Sequence, residues 1–170
     1  IFVQWGSYDL DYLLGICGWR LRPQLVLVQT WPVAPALREY VAPGSDAETH
    51  VAAMIRCNGG AVIHYERGEF TSSAPTESWQ IIGTKATLRL HMQPVKNNRV
   101  ILDKVEPNGV HTSVLWEGDE TDQSVHAGPV TDFATAIQTG AEPRTTLEHA
   151  LVLQSIFDAV YASAASGEAV

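Results

Sequence analysis

Apolar residues recur at helical spacing near the start of the chain. The positions that fall on one helical stripe are Leu10, Leu13, Leu14 and Cys17. Ser7 precedes this stripe and is a favoured N-cap residue, and Gly18 follows it where helices commonly end. The pattern therefore predicts a short helix over residues 7–17.

Two further helices are predicted near the end of the chain. Thr131 can cap a helix over residues 132–139. Thr145 and Glu148 have the spacing of a capping box, and the segment from there to Ala165 contains neither glycine nor proline. The buried stripe predicted for this last helix consists of Ala150, Leu153, Phe157, Val160 and Ala164.

Between these ends, the hydrophobic positions follow the pattern of β-strands. Apolar and β-branched runs cover residues 25–31, 48–57, 61–70, 78–82, 87–92, 99–103 and 110–116. Residues 34–46 contain prolines and a glycine and are predicted to form a loop. The sequence Asn58-Gly59-Gly60, between the second and third runs, is a strong hairpin signal.

The order of these elements predicts an α+β fold. Strands joined by tight turns are antiparallel neighbours, and helices gathered at the sequence ends pack on one face of such a sheet. With 170 residues, the chain has the length of one domain. We therefore expect residues 1–170 to form a single domain with a large, mostly antiparallel β-sheet and helices packed on one face.

The hairpin also predicts which side chains share a face of the sheet. One face is expected to carry Val51, Ala53 and Ile55 with Val62, His64 and Glu66. The other is expected to carry His50, Ala52 and Met54 with Ile63, Tyr65 and Arg67. Met54, Ile63 and Tyr65 make this second face too apolar for full exposure, which predicts a homo-oligomer through the open sheet face. The alternative is a scatter of surface apolar residues.

Composition narrows the classes of function. Lys and Arg total 11 against 19 Asp and Glu, so the formal net charge is −8, and such a surface repels nucleic acid. No apolar run is long enough to span a bilayer, so we expect no membrane partner. Cys17 and Cys57 are expected to be free buried thiols. The chain opens with Ile1 and shows no signal-peptide pattern, so we expect a fragment of a longer, cytoplasmic protein.

Few residues show the spacing of known catalytic or metal sites. The histidines lack metal-ligand spacing; His64 and Glu66 share a strand face, but a structural pair is the favoured interpretation, and we predict no metal site. The sequence contains no G-x-S-x-G, phosphate-loop or G-x-G-x-x-G motif. Asp119, Glu120 and Asp122 form an acidic patch that we interpret as a solvated loop.

Polar residues cluster at the N-terminus of the first predicted helix, namely Gln4, Gly6, Tyr8 and Asp11. Unpaired backbone N–H groups at such a terminus suit an anion or a polar substrate. The phenol of Tyr8 is a usable general acid if a cation or hydrogen bonds lower its pKa. From local chemistry alone, packing or capping remains the alternative role for Tyr8.

These residues resemble a known family. The segment Gln4–Asp11 is similar to the one that opens the C-terminal domain of Gfo/Idh/MocA oxidoreductases, of the form Asp-x-Gly-x-His-x-x-Asp. Gln4 stands where that family usually has Asp, and Tyr8 where it usually has His, although Tyr occurs there in some branches. Similarity continues at Asn58–Ala61, Ile82–Leu88, Asp132–Ile137 and Glu148–Leu151. The order and spacing of the motifs together are more specific than any one of them.

The resemblance implies an α+β domain that follows an N-terminal Rossmann domain, which this chain lacks. The parent would use NAD(P) to oxidise or reduce a sugar, inositol or similar polyol, and this chain alone would bind no cofactor and have no activity. Tyr8 is implied as the catalytic acid/base, with Gln4 and Asp11 as substrate-binding residues. The alternative is a non-catalytic α+β module for dimerisation or ligand binding.

Overall fold

Among the residues that the structure describes, one α-helix, seven strands and two further α-helices follow each other in the order that the sequence predicts. The computed structural model describes residues 1–74, 76–93 and 95–170, and within them all side chains except those of residues 122–124. The helices are α1 (Phe2–Ile16), α2 (Asp122–Thr139) and α3 (Leu147–Ser166). The strands are β1 (Pro23–Trp31), β2 (His50–Cys57), β3 (Val62–Gly68), β4 (Trp79–Ile82), β5 (Ala86–Leu90), β6 (Asn98–Glu106) and β7 (Gly109–Gly118). The α+β class is confirmed.

The strands form two antiparallel sheets within the described residues. One has three strands in the order β1-β2-β3, and the other has four in the order β4-β5-β6-β7. The first lies in a compact unit made of residues 1–73 and 145–170, and the second in a unit made of residues 74–144. The strands therefore divide between two sheets, and the assignment of residues 1–170 to a single domain stays a prediction.

The core of the first unit lies between its helices and one face of its sheet, as predicted. Buried side chains come from α1, α3 and all three strands: Phe2, Leu10, Leu14, Val26, Val28, Val51, Ile55, Ile63, Tyr65, Leu153, Ile156, Phe157 and Val160. The ring of Phe2 contacts Tyr65 and Phe157 edge to face, with centroids 5.1 and 5.6 Å away. These contacts hold the start of α1 against both the sheet and α3.

The first helix begins earlier than predicted. Because α1 starts at Phe2, Ser7 lies inside it, and the Ser7 hydroxyl donates to the Gln4 carbonyl instead of capping the helix. The carboxylate of Glu48 takes the capping role, since it accepts the backbone N–H of Phe2 at 2.8 Å. The prediction that Ser7 is the N-cap is therefore wrong.

The ends of the other helices also differ in detail. The capping box of α3 is formed by Thr146 and His149, so the predicted pair Thr145 and Glu148 is wrong by one residue. Ala150 is exposed, while the rest of the predicted stripe is at least half-buried. In α2, Thr131 is an interior residue whose carbonyl accepts the Thr135 hydroxyl, because the helix continues through Pro129 from Asp122.

The register of the β2–β3 hairpin reverses the predicted face assignment. Ala53 lies opposite Tyr65, and Ile55 lies opposite Ile63. The connection is the three-residue turn Asn58–Gly60, in which Gly59 and Gly60 adopt positive φ angles of 68° and 80°. An odd number of turn residues pairs odd positions with odd positions, whereas the prediction paired odd with even.

This register buries two of the three residues proposed for the open face. Ile63 and Tyr65 are 6% and 9% exposed beneath the helices, while Met54 lies on the opposite face. The predicted row of Met54, Ile63 and Tyr65 is therefore wrong. The uncovered side of the three-stranded sheet, called the outer face below, instead exposes Leu27, Trp31, Met54 and Val62.

Candidate active site

Tyr8 lies on the exposed side of α1. It is 62% exposed, which excludes the role of a core aromatic residue. Gln4 lies one turn earlier and is exposed, whereas Asp11 lies nearly one turn later and is half-buried. Spacings of four and three residues place these side chains on one side of a helix. Among the described residues, no hydrogen bond joins the three side chains to each other.

The helix N-terminus does not lie beside Tyr8, as the sequence had suggested. It lies at Phe2, where Glu48 occupies it and also accepts the Tyr161 hydroxyl at 2.9 Å. Burial raises the pKa of Glu48, but hydrogen bonds from the Ile1 amino group, the Phe2 N–H and Tyr161 outweigh burial and lower it to about 2. The expectation that unpaired N–H groups at this terminus act on Tyr8 is therefore wrong.

Asp9, the neighbour of Tyr8, anchors this helix turn to the sheet. Asp9 is 2% exposed, and its Oδ2 accepts the Tyr65 hydroxyl at 2.8 Å and Nη1 of Arg67 at 3.2 Å. Burial, with the nearby Asp9 charge and hydrogen bond, raises the pKa of Tyr65. Tyr65 therefore stays protonated and acts as a donor that fixes Asp9.

Trp5 extends the same network toward the surface. The Arg67 guanidinium lies 4.1 Å from the centroid of the Trp5 ring, a cation–π contact. The indole N–H of Trp5 donates to Glu69 at 2.7 Å. The Tyr8 ring lies 6.3 Å from the Trp5 ring, so Trp5 stands between Tyr8 and the charged residues of β3 and its following turn.

Asp11 lies where α1 approaches the start of α3. Its Oδ1 is buried and has no hydrogen-bond partner among the described residues. Burial raises the pKa of Asp11, and the charge of His149 opposes that shift. The His149 ring itself stacks on Trp19, with centroids 3.9 Å apart and an angle of 2° between the planes. Within the described part of the chain, this buried oxygen atom of Asp11 has no donor.

Further predictions from the sequence concern metal binding and the two cysteines of the chain. Within the described residues, no group of three or more His, Cys, Asp or Glu side chains is arranged to hold a metal ion. Cys17 is half-buried and Cys57 is buried, and both are free, as predicted. Burial raises the pKa of both thiols. In the same described part, no helix has the length and apolarity needed to cross a bilayer.

Tyr65, Arg67 and Glu69 are site residues that sequence reasoning missed as such. They alternate along β3 and the residue that follows it, and each bonds a residue of α1. The alternation of an aromatic and two charged residues on one strand face is a signal in the sequence. Its meaning depends on the register, because only the observed pairing turns this face toward α1.

Comparison with known proteins agrees with this geometry. The family profile described as the oxidoreductase family, C-terminal alpha/beta domain, of the Gfo/Idh/MocA type, matches residues 1–170. The chain therefore belongs to this oxidoreductase family, and the resemblance stated from the sequence is confirmed. A comparison with curated protein sequences found no significant match.

Several solved oxidoreductases share the fold. One from Agrobacterium radiobacter, in complex with NAD+, L-tartaric acid and magnesium, has a TM-score of 0.72 at 20% identity over 100% of this chain and 48% of that chain. The aldose-aldose oxidoreductase from Caulobacter crescentus, complexed with glycerol, has 0.70 at 16% over 96% and 44%. The UDP-N-acetylglucosamine 3-dehydrogenase from Acidithiobacillus ferrooxidans has 0.65 at 18% over 91% and 45%. This chain thus spans about half the length of these proteins.

Proposed function

We propose that this chain is the substrate-binding and oligomerising part of an NAD(P)-dependent oxidoreductase that acts on a sugar, inositol or similar polyol. Family membership and the sugar-type substrates named for two structural neighbours support this class. The observation that carries the proposal is the exposed phenol of Tyr8 on a helix turn that the buried Asp9 fixes to the sheet. A group that must move a proton needs both access to substrate and a fixed position.

The cofactor is assigned to the parent protein and not to these residues. The sequence contains no G-x-G-x-x-G turn of the kind that holds a pyrophosphate, so no residue of this chain is assigned to NAD(P). A bound nicotinamide supplies the hydride chemistry of such enzymes. We assign it to a Rossmann domain outside residues 1–170.

Tyr8, Gln4 and Asp11 have separate roles in binding and converting a polyol. Tyr8 accepts the proton of the reacting hydroxyl group during oxidation and returns it during reduction. Gln4 offers an amide that donates to or accepts from a neighbouring hydroxyl without adding charge. The half-buried carboxylate of Asp11 accepts a hydrogen bond from another substrate hydroxyl.

The proposal also includes an oligomeric state and a cellular location. The exposed apolar residues of the outer face, Leu27, Trp31, Met54 and Val62, support a homo-oligomer formed through that face. The free thiols of Cys17 and Cys57 are typical of a reducing compartment and support a cytoplasmic location.

The test is a Tyr8→Phe variant of the full-length parent, assayed with NAD+ and NADP+ against a panel of sugars and inositols. We expect turnover to fall by roughly two to four decades, the usual contribution of a general acid or base. Tyr40→Phe is the matched control, because Tyr40 is a similarly exposed tyrosine (64%) that belongs to no part of this site. Its turnover should equal that of the wild type.

The pH profile separates catalysis from a packing role. Disappearance of one ionisation from the pH profile of turnover in Tyr8→Phe, together with lower turnover, supports the proposal. Unchanged turnover and an unchanged pH profile in Tyr8→Phe would leave Tyr8 as a surface residue. Wild-type protein that oxidises no polyol with either cofactor would favour the alternative of a non-catalytic binding module.

A further inference from the structure

A cavity of about 500 Å³ opens at one end of the four-stranded sheet. It lies where β4 begins, β5 ends and β6 begins, and all its lining residues belong to the unit of residues 74–144. Its volume falls within the range of about 300–1,000 Å³ that is typical of small-molecule sites. None of these residues is among those assigned above to the site around Tyr8.

One wall of the cavity is held by specific hydrogen bonds. The backbone N–H of Asn97 donates to Asp119 at 2.8 Å. Asn98 is 4% exposed, its Nδ2 donates to Glu120 at 2.6 Å, and its Oδ1 accepts the N–H of Arg99 at 2.7 Å. Asp119 and Glu120 lie in the loop before α2, as predicted, with Asp119 exposed and Glu120 half-buried, and their carboxylates also hold this wall in place. The side chain of Asp122 lies outside the described residues.

Three basic side chains line the cavity, and carboxylates balance two of them. Arg89, Lys96 and Arg99 line it, against one acidic residue, Glu77, in a protein of net charge −8. Arg89 forms a bidentate ion pair with Asp103, with N–O distances of 2.7 and 3.1 Å. Arg99 forms an ion pair with Glu117 at 2.8 Å, so carboxylates hold both guanidinium groups in place.

Lys96 differs from these two arginines. Its side chain is exposed, and it forms no ion pair within the part of the chain that the structure describes. The Lys96 ammonium group can therefore bind an incoming anion without first losing an ion pair with a described residue.

Aromatic and amide groups complete the lining. The half-buried Trp79 and the buried Leu90 face each other across the β4–β5 pair and contribute apolar surface. Gln80 and Asn97 contribute amide donors and acceptors. Apolar surface beside amides suits a ring with one apolar side and several hydroxyl groups, and the lysine suits a negative charge attached to that ring.

We propose that this cavity binds a small carbohydrate that carries an anionic group, either a phosphate or a carboxylate. Lys96 binds the anionic group, Trp79 contacts the sugar ring, and the amide of Asn97 binds its hydroxyl groups.

Calorimetric titration of the full chain at low ionic strength tests the proposal. The probes are glucose 6-phosphate, glucuronate, glucose and inorganic phosphate. We expect at least one of the two charged sugars to bind more tightly than either glucose or phosphate, and the stronger of the pair identifies the anionic group. Lys96→Gln should weaken that binding about tenfold or more, the usual effect of losing a hydrogen bond to a charged group.

Lys85→Gln is the matched control, because Lys85 is an exposed lysine of the same unit that does not line the cavity. It should bind like the wild type, and a Trp79→Phe variant should retain part of the affinity because it keeps an aromatic ring. Equal losses in Lys96→Gln and Lys85→Gln would overturn the proposal, since they would indicate a general charge effect. Absence of binding by all four probes, or phosphate binding as tightly as the charged sugars, would overturn it as well.

Discussion

The hydroxyl group of Tyr65 in β3 donates a 2.8 Å hydrogen bond to the carboxylate of Asp9 in α1. These residues are 56 positions apart in the chain, and Asp9 directly follows Tyr8. The bond therefore joins the sheet to the helix turn that presents the proposed acid/base. Arg67 donates to the same carboxylate oxygen at 3.2 Å, so a neutral donor and a charged donor share one acceptor.

Removal of the Tyr65 hydroxyl should weaken this junction. Tyr65→Phe keeps the ring in the core but takes one donor away from a carboxylate that is 2% exposed. We expect the free energy of unfolding to fall by about 1–3 kcal/mol, the usual cost of removing one partner of a buried hydrogen bond. Urea unfolding at pH 7 measures it, with Tyr40→Phe as the exposed control. Equal stability of both variants and the wild type would show that the bond contributes nothing.

Local periodicity was sufficient to predict the existence and order of the elements. The stripe of Leu10 and Leu14 marks α1, and the apolar β-branched runs mark the strands, because burial on one face repeats with the period of each element. Helix ends depend on distant partners. The start of α1 is set by Glu48, 46 residues from Phe2, and nothing in residues 1–16 identifies that partner.

Periodicity alone could not predict the hairpin register or the geometry of the site, because both depend on the backbone conformation of single residues. The positive φ angles of Gly59 and Gly60 make a three-residue turn, and that one residue of difference moves Tyr65 and Arg67 to the core side. The position of Tyr8 on α1 followed from the helical pattern and the family motif. The hydrogen bonds that fix Asp9, next to Tyr8, to the sheet could not be predicted in this way, because they depend on the hairpin register. The cavity wall at residues 97–99 was missed because the residues that hold it, Asp119 and Glu120, lie 22 positions further along the chain.

Glu48 should make folding sensitive to acid. Its folded-state pKa is lowered from 4.5 to about 2, so it stabilises the fold above its unfolded pKa, and the contribution is lost as pH falls from about 5 toward 2. In the isolated chain of residues 1–170, where the free Ile1 amino group is one of the donors, the lost stability should be on the order of 2 kcal/mol for this largely buried carboxylate. Unfolding free energies measured between pH 2 and 7 should decline less steeply in Glu48→Gln than in the wild type. Exposed Glu39→Gln is the control, and a Glu48→Gln profile parallel to the wild type would contradict the assignment.

The corrected hairpin register changes which substitution tests oligomerisation. Met54→Lys places charge on the exposed outer face, so it should dissociate the proposed oligomer while changing the unfolding free energy by only about 0.5 kcal/mol. Ile63→Lys places charge in the core and should cost about 3 kcal/mol or more. Sedimentation velocity and urea unfolding distinguish the two effects. A monomeric wild type at high concentration would count against the oligomer, and a stable, folded Ile63→Lys would count against the register.

Asp11 should show the opposite pH dependence from Glu48. Burial raises its folded-state pKa, so the charged form is disfavoured by folding, and the stability it contributes is fully present below pH 3.8 and lost as pH rises through the folded-state pKa. Asp11→Asn removes the charge and should therefore raise the unfolding free energy at pH 7, with little effect in strong acid. The attraction of His149 opposes this gain but does not reverse it, because burial is the larger cause of the shift.

A stabilising substitution at Asp11 should nevertheless impair the parent enzyme. Because the Asp11 carboxylate is proposed to bind a substrate hydroxyl, Asp11→Asn should raise KM for the polyol more than it lowers kcat, whereas Tyr8→Phe should act mainly on kcat. Steady-state kinetics beside urea unfolding at pH 7 measure both effects in the same protein. Asp158→Asn, on the exposed side of α3, controls for a general change in charge. Higher stability with an unchanged KM would make Asp11 a purely structural residue, and lower stability would contradict the raised pKa.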